Sequence, residues 1–228
     1  MRKLIKLELK RVRLYKKLVT FCIVNILITL LVFMIMTLNV FSSSDINNMA
    51  FSAPNSIDIL VKAFFIVWEA VLITQIIIEE FKCQTLSILY SYPINRKNLL
   101  KAKLTIIVLM IFAGMMLSQI IQNVIFALLS IAIGYIQYQI DMHTIINIIL
   151  TTIGSIFCGL ISFGVGMIKR SVAATIISSI VIVSTTVSTQ GNERNLMAML
   201  SVSVCLGIIG FIITLFTVNK VISNDLYL

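Results

Sequence analysis

From Leu104 to Ile133 the chain runs for 30 residues without a formal charge. An α-helix needs about 20 predominantly apolar residues to cross the hydrocarbon of a bilayer. The run therefore reads as a membrane span that tilts or protrudes to accommodate its excess length. Once this segment is committed to lipid, the other apolar runs read the same way: about 18–40, 59–78, 144–168, 172–188 and 196–218. Composition supports the class, with 59% hydrophobic and only 12% charged residues. At about 20 residues per span with short connections, the chain has room for roughly six helices. The predicted fold class is an all-α integral membrane protein with six transmembrane helices in one domain, 1–228; no linker or repeat marks a second.

The formal net charge of +9 is concentrated at span ends. Of the 18 Lys and Arg residues, 16 fall in the N-terminal segment, the connections after the second and fourth spans, and the C-terminal tail. Cytoplasmic loops carry an excess of Lys and Arg. Both termini are therefore predicted to be cytoplasmic, in a multi-pass protein of the cell membrane, and an even span number follows. Anionic headgroups, not nucleic acid, are the partner such charge implies. Cys22, Cys158 and Cys205 lie in apolar runs and Cys83 in a polar connection. Their spacing suggests neither a disulfide framework nor a metal site.

Residues 1–17 hold eight basic residues and one acid, Glu8. Ile5, Leu9 and Val12 recur at helical spacing, with Leu7 and Leu14 widening the face, which predicts an amphipathic interfacial helix on the inner leaflet. A disordered basic tail that only fixes topology is the alternative. The following run, Leu18 to Val40, is longer than a signal-peptide core and lacks an A-x-A-like site, so it reads as a retained first span.

Phe41 to Ile57 reads as an external loop. Asp58 and Lys62 stand at i, i+4 near the outer end of the second span, where they can pair and snorkel. Glu69 lies near mid-span, where a charge is expensive and usually faces the bundle interior. It either lines a translocation route or contacts a cationic substrate, or it is a protonated or hydrogen-bonded packing residue. Gln119, Gln122 and Asn123 form a polar patch at i, i+3, i+4, which serves interhelical hydrogen bonding or lines a pathway. Ser155, Gly159, Ser162 and Gly166 make a stripe of small residues that predicts close helix packing, within the subunit or across a dimer. Tyr135 and Tyr138 flank the outer exit of the third span.

The segment Glu79 to Lys103 is the most organised polar interruption. Leu86, Leu89 and Tyr90 give a helical stripe, Pro93 disfavours helix at Tyr92, and Asn95 is a good N-cap for a helix starting at Arg96. Two acids at the end of a span, a Leu-rich turn, Ser91-Tyr92-Pro93-Ile94-Asn95-Arg96-Lys97 and then Leu99-Leu100 before a lysine resemble the first cytoplasmic loop of ABC-2-type transporter permeases. The resemblance implies that Leu89, Tyr90, Ser91, Tyr92, Pro93, Ile94, Asn95, Arg96 and Lys97 form the coupling helix and its flanks, seated on an ABC ATPase subunit. It further implies two six-span subunits, identical or related, joined to two ATPases that bind ATP and Mg. The chain itself lacks G-x-x-x-x-G-K-[ST] and is expected to bind no cofactor and to be no enzyme. Larger relatives carry membrane-dipping helices between the last two spans, for which Gln190 to Asn195 has no room.

Small Ile- and Lys-rich permeases of this kind are similar to those with which Gram-positive bacteria export, or resist, amphipathic peptides, including membrane subunits of phenol-soluble modulin exporters. The expected substrate is an amphipathic or hydrophobic peptide. Export of small drugs or cations, or a non-transporting immunity or sensor component, are the alternatives. A glutamate-type intramembrane protease is disfavoured. Position 84 is Gln where the E-E-x-x-x-R motif needs Arg, and His143 is placed on the face opposite Glu79.

Overall fold

The computed structural model describes residues 14–42, 53–79, 96–133, 142–169, 171–190 and 196–224. These form six helices and, among the described residues, no strand: α1 (Leu14–Ser42), α2 (Ala53–Ile73), α3 (Arg96–Ile133), α4 (Met142–Lys169), α5 (Val172–Gln190) and α6 (Leu196–Asn224). Within the described residues, four stretches are long and apolar enough to cross a membrane: Lys17–Leu38, Pro54–Ile78, Leu99–Ala132 and Ile145–Lys169. Val172–Ser188 and Val204–Val218 are shorter apolar helical stretches. The protein is an all-α, membrane-embedded chain.

Helix extents differ from the expected spans in instructive places. Leu14–Lys17 belong to α1, so this part of the 1–17 segment continues the first helix instead of lying apart from it. The second helix begins at Ala53, ahead of the expected start at 59, and takes in Pro54 and Asp58. Proline is tolerated there because the first helical turn has no intrahelical acceptor for its missing N–H. Beyond Ile73 the helix continues through a π-helical turn, Thr74–Ile78, which is counted with α2. At 38 residues α3 is about 57 Å long, nearly twice the hydrocarbon thickness. Its first turn holds Arg96 and Lys97.

Contacts fix the directions of the helices. On α1 and α2, Lys17 meets Gln75 while Phe21 meets Trp68, so rising numbers pair with falling ones and the two are antiparallel. Asn25 and Thr29 of α1 meet Ser118 and Gln122 of α3, which is a parallel pair. Helices α2 and α4 are parallel through Lys62 with Thr151 and Glu69 with Gly159. Gly166 of α4 packs on Thr175 of α5 just across their tight connection. On α6, Gly207 and Gly210 face Gly154 and Phe157 of α4, again in parallel. Helices α1, α3 and α5 thus run one way and α2, α4 and α6 the other. The chain enters α1 and leaves α6 on the same face.

The core lies around α2. Ile57, Val61, Phe65, Ile66, Ile73 and Ile77 are fully buried on it. The Phe65 ring lies 5.3 Å from Trp68 and 6.3 Å from Phe21, and it packs onto Gly114 of α3, where a Cβ would sit 2.7 Å from the ring. Helix α1 is peripheral: Asn25, Ile28, Val32 and Met36 make its buried stripe, while Ile26, Leu30 and Leu38 stay exposed. Outward apolar side chains of this kind are what a lipid-facing helix requires.

Candidate functional site

Three polar arrangements occupy the interior of this apolar bundle. The first joins α2, α3 and α4. Lys62 donates to Asp58 and, at 2.5 Å, to Thr151 Oγ1, while Gln119 Nε2 donates to Asp58 Oδ1 at 2.8 Å. Asp58 and Lys62 were expected to pair and snorkel; they do pair, but their side chains are 5% and 2% exposed. The early start of α2 explains the difference, because it draws Asp58 inside the bundle, between α3 and α4. Taking both ions out of water costs several kcal/mol each, which is offset only when every lone pair and proton is used. Thr151 and Gln119 supply those partners, although Gln119 Oε1 is left buried without one among the described residues.

The second arrangement ties peripheral α1 to α3. Ser118 donates to Asn25 Oδ1 at 2.7 Å, Gln122 Nε2 donates to the Asn25 carbonyl at 2.9 Å, and Thr29 donates to Gln122 Oε1 at 3.0 Å. In hydrocarbon no water competes for these groups, so they hold a helix that has few other buried contacts. Asn123 donates to the Gln119 carbonyl of its own helix.

The third is Glu69, fully buried, with neither carboxylate oxygen hydrogen-bonded among the described residues. It lies in the space that Gly159 leaves on α4: a Cβ there would come within 2.1 Å of Oε2. Ser155, Gly159, Ser162 and Gly166 are all buried, and Gly166 meets Ile78 of α2 as well as Thr175. Of the candidate path residues, then, Gln119 joins α3 to α2 and Gln122 joins α3 to α1, while Glu69 faces α4. Glu69 is eleven residues from Asp58, about 16 Å along α2, and is not part of the Gln119 cluster.

Near the face where α1 begins, α2 changes its winding. Thr74–Ile78 form a π-helical turn, in which Glu79 N–H reaches the Thr74 carbonyl. Such turns displace backbone carbonyls from their usual partners. Here Lys103 of α3, 3% exposed, donates to the Ile76 carbonyl at 3.3 Å. Between α1 and α2 an open groove of about 500 Å³ runs along the bundle, floored by Val24, Ala63, Val67 and Trp68, with Val183 of α5 at its side. Its end is marked by Lys17, whose ammonium donates to Gln75 Oε1 at 2.5 Å. Sequence reasoning missed Asn25, Thr151, the Lys17–Gln75 pair and the Lys103 contact. A lone Asn in an apolar run was the visible signal for the first; the others depend on which helices meet.

Leu89 to Asn95 lie outside the described residues, as do Glu80, Cys83, Tyr135 and Tyr138, and the side chains of Arg96, Lys97 and His143 are likewise outside them. A sequence profile for the ABC-2 family transporter protein matches residues 4–186. The chain belongs to the ABC-2 transporter family. Membrane subunits of this family work with an ATPase partner, and this ABC-2 chain is membrane-embedded. It is 37% identical over 127 residues to the uncharacterized protein YcbO of Bacillus subtilis (strain 168), a match that takes in 54% of this chain and 56% of that protein. The chain thus spans about half the length of that relative. No solved structure matches it.

Proposed function

We propose that this ABC-2 protein is the six-span membrane subunit of an ATP-driven exporter that moves amphipathic or hydrophobic peptides out of the cell, powered by a separate ABC ATPase. The observation that carries the substrate class is the shortage of charge in the interior. Among the described residues, the buried charged side chains are Asp58 and Lys62, which neutralise each other, Glu69, and Lys103 near the end of the bundle. An ion or a very polar solute needs a wetted, charge-lined path through the bilayer. A peptide that already partitions into lipid needs only a moving apolar contact between helices.

In this reading the segment Leu89 to Lys97 seats on the ATPase, with both termini and the coupling helix on the cytoplasmic side. Two copies, or this chain and a related one, form the transport unit. ATP and Mg bind on the ATPase. Its closure presses on the coupling helix and is transmitted to α2 and α3, the two helices that flank it in the chain. Helix α2 is well placed to respond, because its π-turn and the Lys103 contact lie at that end.

The test is co-purification of the chain in nanodiscs with candidate ABC ATPases, followed by ATPase assays. Intact chain is compared with Pro93→Ala and Arg96→Glu. Association weakened by those changes, with turnover stimulated by amphipathic peptides, supports the reading. Unchanged association would refute the docking role, and stimulation by small cationic drugs in place of peptides would move the substrate to that class.

A further inference from the structure

The groove between α1 and α2 has a length and polarity that fit one class of ligand. It extends along α2 from Ala63 to Gln75, twelve residues or about 18 Å of helix. Half the hydrocarbon thickness of a bilayer is about 15 Å. The groove therefore covers one leaflet, from the boundary marked by Lys17 and Gln75 to the middle of the bundle near Ala63. Its floor is apolar, and its polar groups gather at the Lys17 end.

We propose that this groove holds one acyl chain of an anionic phospholipid, whose phosphate is bound at Lys17 and Gln75. The Gln75 carbonyl oxygen takes one ammonium N–H and holds Lys17 at the mouth of the groove. The ammonium keeps two further donors, and the Gln75 amide nitrogen keeps its own, so the pair offers donors and a net positive charge to a phosphate. The sequence reinforces this sign, since eight of its 18 basic residues precede Thr20. The site needs no ATPase and is independent of the transport reading.

The test is native mass spectrometry of the full chain released from mixed nanodiscs containing phosphatidylglycerol and phosphatidylcholine with the same acyl chains. The intact protein is expected to retain one phosphatidylglycerol in preference to phosphatidylcholine. Lys17→Gln should reduce that preference about fivefold, the effect of one Lys near an anionic surface, while still binding lipid. Val67→Trp, which fills the groove, should expel the lipid whatever its headgroup. Lys169→Gln, an exposed charge elsewhere on the same face, should change neither. Each variant is checked for an unchanged size-exclusion profile. Equal retention of the two lipids by the intact chain overturns the proposal. So does retention untouched by Val67→Trp, or one-for-one displacement of the lipid by an amphipathic peptide.

Discussion

The α4–α6 contact makes the sharpest test of the fold, through Gly210→Ala. A Cβ at Gly210 would stand 2.0 Å from the Phe157 carbonyl oxygen and 2.9 Å from its carbon. Restoring an ordinary 3.4 Å separation requires the two helices to part by about 1.4 Å, and since the obstacle is backbone, no rotamer change relieves it. A gap of 0.5–1 Å already forfeits about a quarter to a half of each dispersion contact along the seam. Overpacking of this kind costs about 1–3 kcal/mol, and backbone on backbone belongs at the upper end. Alanine returns about 1 kcal/mol as a better helix former than glycine. The expected net loss is about 2 kcal/mol, or a Tm lower by about 4–8 °C for a chain of this size. Gly207→Ala is the internal control. Its Cβ would lie 3.2 Å from the Gly154 carbonyl oxygen, so the helices need give only a few tenths of an ångström, and its Tm should match or slightly exceed that of the intact chain. Both can be followed in detergent by loss of the monodisperse size-exclusion peak on heating. If Gly210→Ala is as stable as Gly207→Ala, the close parallel packing of α4 on α6 is wrong.

Further perturbations probe the polar interior. Lys62→Met leaves Asp58 buried and uncompensated and should cost about 3–5 kcal/mol in thermal or chemical unfolding, whereas Asp58→Leu with Lys62→Met should recover most of it; equal losses would mean that the pair is not buried. Gly159→Ala drives a methyl into the Glu69 carboxylate and should lower Tm, and Glu69→Ala should cancel that effect in a double-mutant cycle, whereas additive effects would separate the two residues. Glu69→Gln, the neutral isostere, should fold as the intact chain does, because it keeps the volume and neutrality that a fully buried carboxyl without a partner among the described residues requires. Gln122→Ala removes two hydrogen bonds to α1 and should loosen it by about 1.2 kcal/mol, at a mean of about 0.6 kcal/mol for each bond between membrane helices, and should speed proteolysis or hydrogen exchange in α1 before any other helix.

Much of this protein is determined by its sequence alone. Apolar runs of span length dictate helices, since the backbone must satisfy its own polar groups in lipid. The loop around Pro93 and the order of the charges pointed to the ABC-2 family before any fold was seen. Pairing of Asp58 with Lys62 followed from i, i+4 spacing, and the small residues from Ser155 to Gly166 announced a close approach of some helix. What a periodic pattern cannot state is which neighbour fills each face. Gln119, Gln122 and Asn123 look like one polar patch in sequence, yet the tertiary structure sends the first to Asp58 on α2 and the second to Asn25 on α1. The backbone-on-backbone contact of α6 with α4 involves Gly207 and Gly210, spaced i, i+3, where only the facing backbone of α4 gives their missing side chains a meaning. Likewise Lys17 is one of eight cations near the start of the chain, and only its position across from Gln75, at the end of an apolar groove, separates it from the rest. Hydropathy is a property of one segment, whereas hydrogen bonds, close approaches and grooves belong to pairs of segments, and the packing of the helices against one another decided them.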